Sequence, residues 1–430
     1  MKLPSKQIGT GPLFRGYQLA GSALIPLVAL ALLAAKRGRV RYGERFGEWG
    51  SLPETPWWFH GASIGEVQGI IPILQRVREH YAQDKILLTA TSPTGLERGA
   101  PYANLTRLIP IDSAPLVRRA LAKVRAKQLI ISETELWPVF LSQVLLSGLP
   151  VSVVNGRVSD YTLRWYRAAR SIFGPIIASF STICVPDAEQ RNRYIELGAV
   201  PDRVHVTGHT KYDTIPALQG TESRDKTRER FFTAITPQSR ILVLGSIRAG
   251  EEYWWFEACQ RMWQAKMDLR VIIAPRHAER FEYFIQGAQK LGVACEQWSK
   301  RSDREQVEAK VLILDLMGKL EEAYSIADLA FVGATLVDIG GHNPCEPAMY
   351  GVPVCVGPYT SVIREVVNEM RAQHGIIELS SKRDVCNLVE RLCSEASSSL
   401  QGVGLAGQQV WERHRGSADR VLTLIEKAED

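Results

Sequence analysis

From residue 57 onward the chain alternates two patterns. Short, nearly unbroken apolar runs stand at 57–60, 86–90, 107–111, 128–131, 151–154 and 182–185. Each is rich in Val, Ile, Leu or aromatic residues, as a strand covered on both faces requires. Between them apolar residues recur every three or four positions. Val67, Ile70, Ile71, Leu74 and Val77 form one such stripe, the buried face of a helix. Strands alternating with helices predict a parallel sheet between helix layers. The pattern lapses over 209–228, a polar stretch with Pro216 and Gly220. It resumes at 241–244, 270–273, 311–314, 329–332, 354–356 and, weakly, 376–379. The expected organisation is an α/β domain over 46–208, a linker over 209–228 and a second α/β domain over 229–430, whose last helix, 405–430, packs back on the first. Doubly wound sheets bind ligands beyond the carboxyl ends of their strands, so a cleft between two of them is the expected site.

Residues 19–35, LAGSALIPLVALALLAA, carry no charge. As a helix they would reach roughly 25 Å, near the lower limit for crossing a bilayer. Lys36, Arg37, Arg39, Arg41 and Arg45 follow, opposed by Glu44. Positive charge after an apolar run keeps the remainder of a chain in the cytoplasm. The expectation is a single-pass N-terminal anchor with a basic juxtamembrane segment over 1–45, in the inner membrane, with the α/β domains in the cytoplasm. A cleaved signal peptide fits less well, because the basic cluster stands where cleavage would occur; a buried core helix is the other reading. Further on, YTLRWYRAAR interleaves Arg164, Arg167 and Arg170 with Trp165 and Tyr166. That mixture suits a headgroup interface, and equally an amphipathic surface helix.

The composition narrows the classes. With 430 residues, 45% hydrophobic and 23% charged, the chain can fill two cores and is not disordered, collagenous or coiled-coil. A net charge of +6 is too small to argue for nucleic acid, but suits an anionic surface or substrate. Seven cysteines without a C-x-x-C pair fit free thiols in a reducing compartment. The eight histidines are dispersed and H-E-x-x-H is absent, so metal catalysis is not expected.

Five segments can carry chemistry. His60-Gly61-Ala62-Ser63-Ile64-Gly65-Glu66 joins a strand to a helix; Glu66 either closes a capping box with Ser63 or serves as a general base in a cleft. Ser132-Glu133-Thr134-Glu135-Leu136-Trp137-Pro138 places two carboxylates after a strand. They would share a face if the strand continued, or make a helix start acidic to suit its dipole. Residues 245–252, GSIRAGEE, have the small-residue shape of a phosphate cradle, with Ser246 in the turn and Arg248 as countercharge, but also of an ordinary strand-to-helix turn. Arg276, with His277 beside it, ends another strand and can fork onto a phosphate or make a surface salt bridge. Finally, Gly340-Gly341-His342-Asn343-Pro344-Cys345-Glu346 reads as a tight loop with Asn343 as helix cap. Glu346 is there either a second box residue or a ligand for ribose hydroxyls beside a phosphate at the helix start.

ASIGE, ETELWP, GSIRAGEE, PRH and GGHNPCEP, together with RYGERFG, TSPTG, NGRVS and GHTKYD, run in the order found in one family. From about residue 12 to residue 365 the chain resembles the 3-deoxy-D-manno-oct-2-ulosonic acid (Kdo) transferases of lipopolysaccharide synthesis. The resemblance implies a GT-B glycosyltransferase of two Rossmann-like domains, the first for the acceptor and the second for the nucleotide sugar. It implies CMP-Kdo as donor, a lipid A precursor as acceptor, inversion at the sugar and release of CMP, without metal or cofactor. It makes Glu66 the general base and Glu133 a second essential acid. It places Ser246, Arg248, Arg276, His277, Gly340, Gly341, Asn343, Glu346 and Lys211 around the donor. The chain departs from the family where His is common at Arg248, Gly at Ala334 and Leu at Cys345, which bears on the donor loops. The alternative is a GT-B transferase using another nucleotide sugar on a different membrane lipid.

Overall fold

The computed structural model describes residues 8–35, 38–213, 224–232, 235–276, 281–290, 292–300, 309–316, 318–394 and 398–427. The chain divides into two units, Met1–Asp213 with His414–Asp430, and Thr214–Arg413. In unit 1, seven strands form one sheet: β1 (Trp57–His60), β2 (Ile86–Ala90), β3 (Leu105–Leu108), β4 (Gln128–Ser132), β5 (Val151–Val154), β6 (Thr182–Val185) and β7 (Val204–Val206). Their order is β3-β2-β1-β4-β5-β6-β7, and every pairing is parallel. In unit 2, β8 (Arg240–Ile247), β9 (Leu269–Pro275), β10 (Cys295–Gln297), β11 (Val311–Ile313), β12 (Leu329–Val332), β13 (Val354–Val356) and β14 (Ile377–Glu378) form a second sheet. Its order is β10-β11-β9-β8-β12-β13-β14, again wholly parallel.

The apolar runs are buried because helices cover both faces. On one face of the first sheet, Val67, Ile70, Leu74 and Val77 of the helix Ile64–His80 pack with Phe59, Leu88 and Ile130. On the other, Trp58, Leu87 and Ile131 pack with Phe140 and Val144. Each such side chain contributes about 1.5–3 kcal/mol by leaving water, which fixes the register of the central strands.

Twelve strands overlap the apolar runs, β3 being offset toward the N-terminus, Leu105–Leu108 against 107–111. Two were not anticipated. β7 and β10 are three residues long and include His205 and Glu296. Both lie at sheet edges, and a three-residue edge strand is too short to carry an apolar run. The segment 209–228 is not a plain linker. Thr210–Tyr212 forms a 3-10 turn, Arg224 begins a helix running to Phe231, and 214–223 lie outside the described residues. The expected single last helix is two, Ser398–His414 and Ser417–Lys427, separated at Gly416, whose φ is 72°. Asp213 accepts from the backbone of Gly416 at 2.7 Å and Ala418 at 2.8 Å. It thereby starts the final helix, whose Val421, Leu422 and Ile425 join the unit 1 core.

The N-terminal helix spans Pro12–Ala34 and, among the described residues, is the one long and apolar enough to cross a membrane. Of the basic residues after it, Lys36 and Arg37 lie outside the described residues. Arg41 bonds Glu44 and Thr106, and Arg45 bonds the Thr91 carbonyl, so part of the cluster serves unit 1 itself. All seven cysteines are free and five are buried, as reduced core thiols would be.

Candidate active site

In each sheet the chain reverses direction at one point. β1 and β4 are neighbours in unit 1, and β8 and β12 in unit 2. The connections leaving such a pair diverge and open a crevice at the carboxyl ends of the strands. The candidate residues from ASIGE and ETELWP follow β1 and β4. Those from GSIRAGEE and GGHNPCEP follow β8 and β12.

At the unit 1 crevice, Ser63 caps the helix Ile64–His80 and Glu66 closes a capping box. The Glu66 carboxylate accepts from the backbone of Ala62 and of Ser63. Both readings of Glu66 therefore describe the same atoms. Burial raises its pKa, while those backbone donors pull the other way. Ser132, the last residue of β4, donates to the Glu66 carbonyl at 3.3 Å, which fixes the two sides of the crevice together.

The second acid is placed differently from the sequence expectation. β4 ends at Ser132, and Glu133 is left-handed, with φ 56°. The strand does not continue, so Glu133 and Glu135 do not share a strand face. Neither lies in the first turn of the next helix, Pro138–Leu146, so the dipole reading fails as well. Glu133 is held through its backbone: its N–H donates to Val154 and its carbonyl accepts from Tyr194 at 3.0 Å. Tyr166 donates to the Thr134 carbonyl at 3.2 Å. The resulting turn brings Glu135 beside Glu66. Burial pushes the Glu135 carboxyl up to about 7, with the Glu66 charge adding to the rise; Trp137 Nε1 donates to it at 2.8 Å.

The folded unit keeps a proton on Glu135 that the unfolded chain releases above its ordinary pKa of 4.5. The contribution to stability is full below that value and is lost as pH rises through about 7. Glu135→Gln is expected to flatten the fall of the unfolding midpoint across that window. Thermal melts at a series of pH values check it; an unaltered slope assigns the titration to another group.

Lys211 alone of the donor candidates belongs to unit 1. It sits in the 3-10 turn after β7, and its N–H donates to His209 Nδ1 at 3.1 Å. Asn155, after β5 and left-handed at φ 53°, donates to the Gly69 carbonyl at 3.3 Å and to Thr210 Oγ1 at 2.9 Å. It thus joins the helix that carries Glu66 to the turn that carries Lys211. The buried His60 ring bonds Thr89 at 3.0 Å, and burial lowers its pKa to about 4. It is neutral at pH 7 and supports the end of β1.

At the unit 2 crevice, the GSIRAGEE turn is not an open cradle. Its backbone donors are taken by its own acids: Arg248 N–H donates to Glu251 at 2.7 Å and Gly250 N–H to Glu252 at 2.8 Å. The fully buried Glu251 carboxylate also accepts from Ala334 (2.9 Å), Thr335 (3.0 Å) and Leu336 (2.9 Å) across the crevice. Burial raises its pKa, opposed by these four donors. The loops after β8 and β12 also touch directly. A Cβ on Gly333 would stand 2.4 Å from the Ser246 carbonyl oxygen. Ser246 (φ 54°) and Ala334 (φ 63°) are both left-handed, at about 1–2 kcal/mol each for a residue with a Cβ. Three hydrogen bonds from consecutive N–H groups hold the Ala334 turn despite that cost.

Gly340 and Gly341 are left-handed too, at φ 107° and 93°, and any Cβ there would strike Val362 or Ile363 at 2.5–2.6 Å. Their requirement is local packing. Asn343 Oδ1 accepts from Cys345 N–H at 3.0 Å, but the helix it precedes, Cys345–Ala348, has four residues. So short a helix has little macrodipole, contrary to a phosphate held by its N-terminus. Charge stands nearby instead. Glu346 lies within the field of Arg276, which is exposed just past β9, its N–H donating to Ile247 at 3.2 Å. Burial pushes Glu346 up to about 7, Arg276 pulling down and Glu321 pushing up. His277 lies outside the described residues.

Two residues escaped sequence reasoning in their roles. The spacing pairs Glu135 with Glu133 and does not reveal its place beside Glu66, and GSIRAGEE read as a sequence gives Glu251 no role. For Glu251 a signal existed: two consecutive acids in a turn assigned to an anion are in conflict with that ligand.

A family model described as "3-Deoxy-D-manno-octulosonic-acid transferase (kdotransferase)" matches residues 40–214. The 3-deoxy-D-manno-octulosonic acid transferase of Haemophilus influenzae is 28% identical over 410 residues, 94% of each chain. That of Chlamydia trachomatis serovar A is 30% identical over 373 residues, 83% of this chain and 84% of the relative. Among solved structures, UDP-GlcNAc 2-epimerase from Neisseria meningitidis, bound to UDP-GlcNAc, aligns with TM-score 0.52 at 13% identity, over 86% of this chain and 99% of that one. That likeness concerns fold, and supports two Rossmann-like α/β units of the GT-B class.

Proposed function

We propose the following reaction for this chain, which belongs to the 3-deoxy-D-manno-octulosonic acid (Kdo) transferase family and is a glycosyltransferase that moves Kdo in lipopolysaccharide biosynthesis. The donor is CMP-Kdo, taken by unit 2, and the acceptor is the hydroxyl of a lipid A precursor, presented to unit 1. Glu66 accepts the proton of that hydroxyl. The oxygen's electron pair forms the new bond to the anomeric carbon from the face opposite CMP, and the bond to the phosphate oxygen breaks with its electrons. One displacement inverts the configuration and leaves CMP as the anion. Glu135, beside Glu66 and itself raised to about 7 by burial and by the Glu66 charge, can hold a proton at the same corner. Arg276 faces the phosphate and neutralises the charge that grows on it, with Glu346 on ribose hydroxyls. Ser246, Arg248, Gly340, Gly341 and Asn343 shape the loops around the nucleotide, and Lys211 adds positive charge for the sugar acid.

The observation that carries this reading is placement. Paired carboxylates at one switch point and an Arg–Glu pair near the other are what the two halves of a sugar transfer need. An acceptor with acyl chains stays in its bilayer, so the enzyme works at the cytoplasmic face of the inner membrane, through its N-terminal helix and basic residues. Detergent-solubilised chain given CMP-Kdo and lipid A precursor is expected to release CMP and to add one Kdo mass per turnover to the lipid. Folded protein that transfers nothing refutes it. Inhibition by UDP but not by CMP would instead favour another nucleotide sugar.

A further inference from the structure

One side of the N-terminal helix lies against unit 1, most closely over its first half. Phe14 is buried and Gln18, Gly21, Ile25, Ala29 and Leu32 are half-buried, at spacings of three and four, while the residues on the opposite side are exposed. That periodicity is one helix face laid against a surface. The contacts are specific. Phe14 is buried with Ala114 and Val139, against Ile172. Tyr17 donates to Asp112 at 2.9 Å, Ser22 meets Ser113 at 3.3 Å, and Tyr42 donates to the Ala29 carbonyl at 3.3 Å. From Phe14 to Ala29 is roughly 22 Å along the axis.

These contacts do not sit with a helix that crosses the bilayer. Asp112 also accepts from the backbone of Val139 and Phe140, so the carboxylate that Tyr17 bonds is part of the unit's own helix start. The helix Ala114–Leu121, whose Ala114 meets Phe14, carries Arg118 and Arg119 exposed. A crossing that kept the contacts would drag these charges into hydrocarbon, where each is costly. A crossing that broke them would uncover Phe14 and cost Asp112 its bond from Tyr17.

We infer that the helix lies in the plane of one leaflet, with its outer face in the acyl region and unit 1 at its back, in place of the single crossing that its composition led us to expect. The inference rests on the membrane reading above and deepens it. The outer face is a row of leucines, with Leu19 at 72% and Leu27 and Leu30 at 64% exposure. Basic groups flank it: Arg15 is exposed near its start, and Arg39, just beyond its end, bonds the Leu33 carbonyl. The helix Arg170–Ala178 that supplies Ile172 follows directly on Asp160–Ala168, where Tyr161 and Trp165 are exposed beside Arg164. Leucines flanked by Arg and interfacial aromatics fit an anionic phospholipid leaflet. The N-terminus then stays on the same side as the two units.

The test is topological, on the full chain with a protease-cleavable tag before Met1. Protease added to cytoplasm-side-out inner-membrane vesicles is expected to remove the tag, and protease added to right-side-out vesicles to leave it. The reverse pattern, with activity still facing the cytoplasm, overturns the inference. So does a chain that stays in the supernatant of such vesicles. A second measurement uses Leu27→Glu with Leu30→Glu: binding to phosphatidylethanolamine vesicles containing about a quarter phosphatidylglycerol should weaken roughly tenfold or more, while transfer to detergent-dispersed acceptor persists. Unchanged vesicle binding by that variant counts equally against the outer face. Transfer in detergent is scored separately, so failure of the topology leaves the reaction itself undisturbed, and failure of the reaction is seen without vesicles.

Discussion

Glu66→Gln lowers Kdo transfer by about 10²–10⁴-fold, the usual loss when a general base is removed, and leaves CMP binding and the fold in place. The glutamine is close in shape. Its amide oxygen can still accept from Ala62 N–H, the bond that now holds the carboxylate, and Ser63 can still cap the helix Ile64–His80. The helix start therefore loses at most about 1 kcal/mol. What the amide cannot do is take a proton at neutral pH. Burial raises the Glu66 pKa, and the neighbouring Glu135 is raised to about 7, so this corner of unit 1 already favours proton uptake. Single-turnover transfer, with CMP affinity by calorimetry on the same preparation, separates the two roles. Near-normal turnover would make Glu66 a cap and nothing more. A large loss accompanied by a lower melting point and lost CMP binding would trace the effect to folding.

The chain announces its architecture and conceals its corners. Unbroken apolar runs such as 86–90 and 329–332 can only be strands buried on both faces, and they are. β7 and β10 are short edge strands, and no hydrophobic pattern marks them. The positions of chemistry around Glu66, Glu133, Arg248 and Arg276 were legible as strand ends, because each follows an apolar run, whereas Lys211 follows the unmarked β7. Which side chain turns inward was not legible. Four residues with side chains, Glu133, Asn155, Ser246 and Ala334, take left-handed backbone just past or at the ends of β4, β5, β8 and β12. Each redirects what comes next, and L residues give no sign in advance that they will adopt it. Spacing alone could not show that Glu135 stands close enough to Glu66 to feel its charge. The paired glycines at 340 and 341 were read correctly as a tight loop, yet their need arises from Val362 and Ile363, which lie some twenty residues further along the chain.

Glu251→Gln is expected to destabilise the chain by about 2–4 kcal/mol, through a buried charged acceptor lost from four donors, and to raise the KM for CMP-Kdo at least tenfold. The carboxylate occupies the place that a bound anion would take between two loops. One oxygen accepts from Thr335 and Leu336, the other from Arg248 and Ala334. A glutamine keeps one acceptor oxygen and turns an NH₂ group toward N–H groups, so one pair of donors is left facing a donor in a site closed to water. Two neighbours bear the consequence. Ala334 loses the bond that helps hold its left-handed turn, and Arg248, at the base of the other loop, loses its backbone tether. Both loops border the crevice between β8 and β12 where the nucleotide is proposed to lie, so donor binding should suffer before the chemical step does. Urea unfolding and initial rates at varied CMP-Kdo measure the two parts. A loss of stability with unchanged KM would confine Glu251 to structure. Glu251→Asp, one methylene shorter, should not rescue, since it cannot span both loops. An aspartate variant with full donor affinity, or a glutamine variant with an unmoved urea midpoint, would mean that something other than this carboxylate holds the loops together.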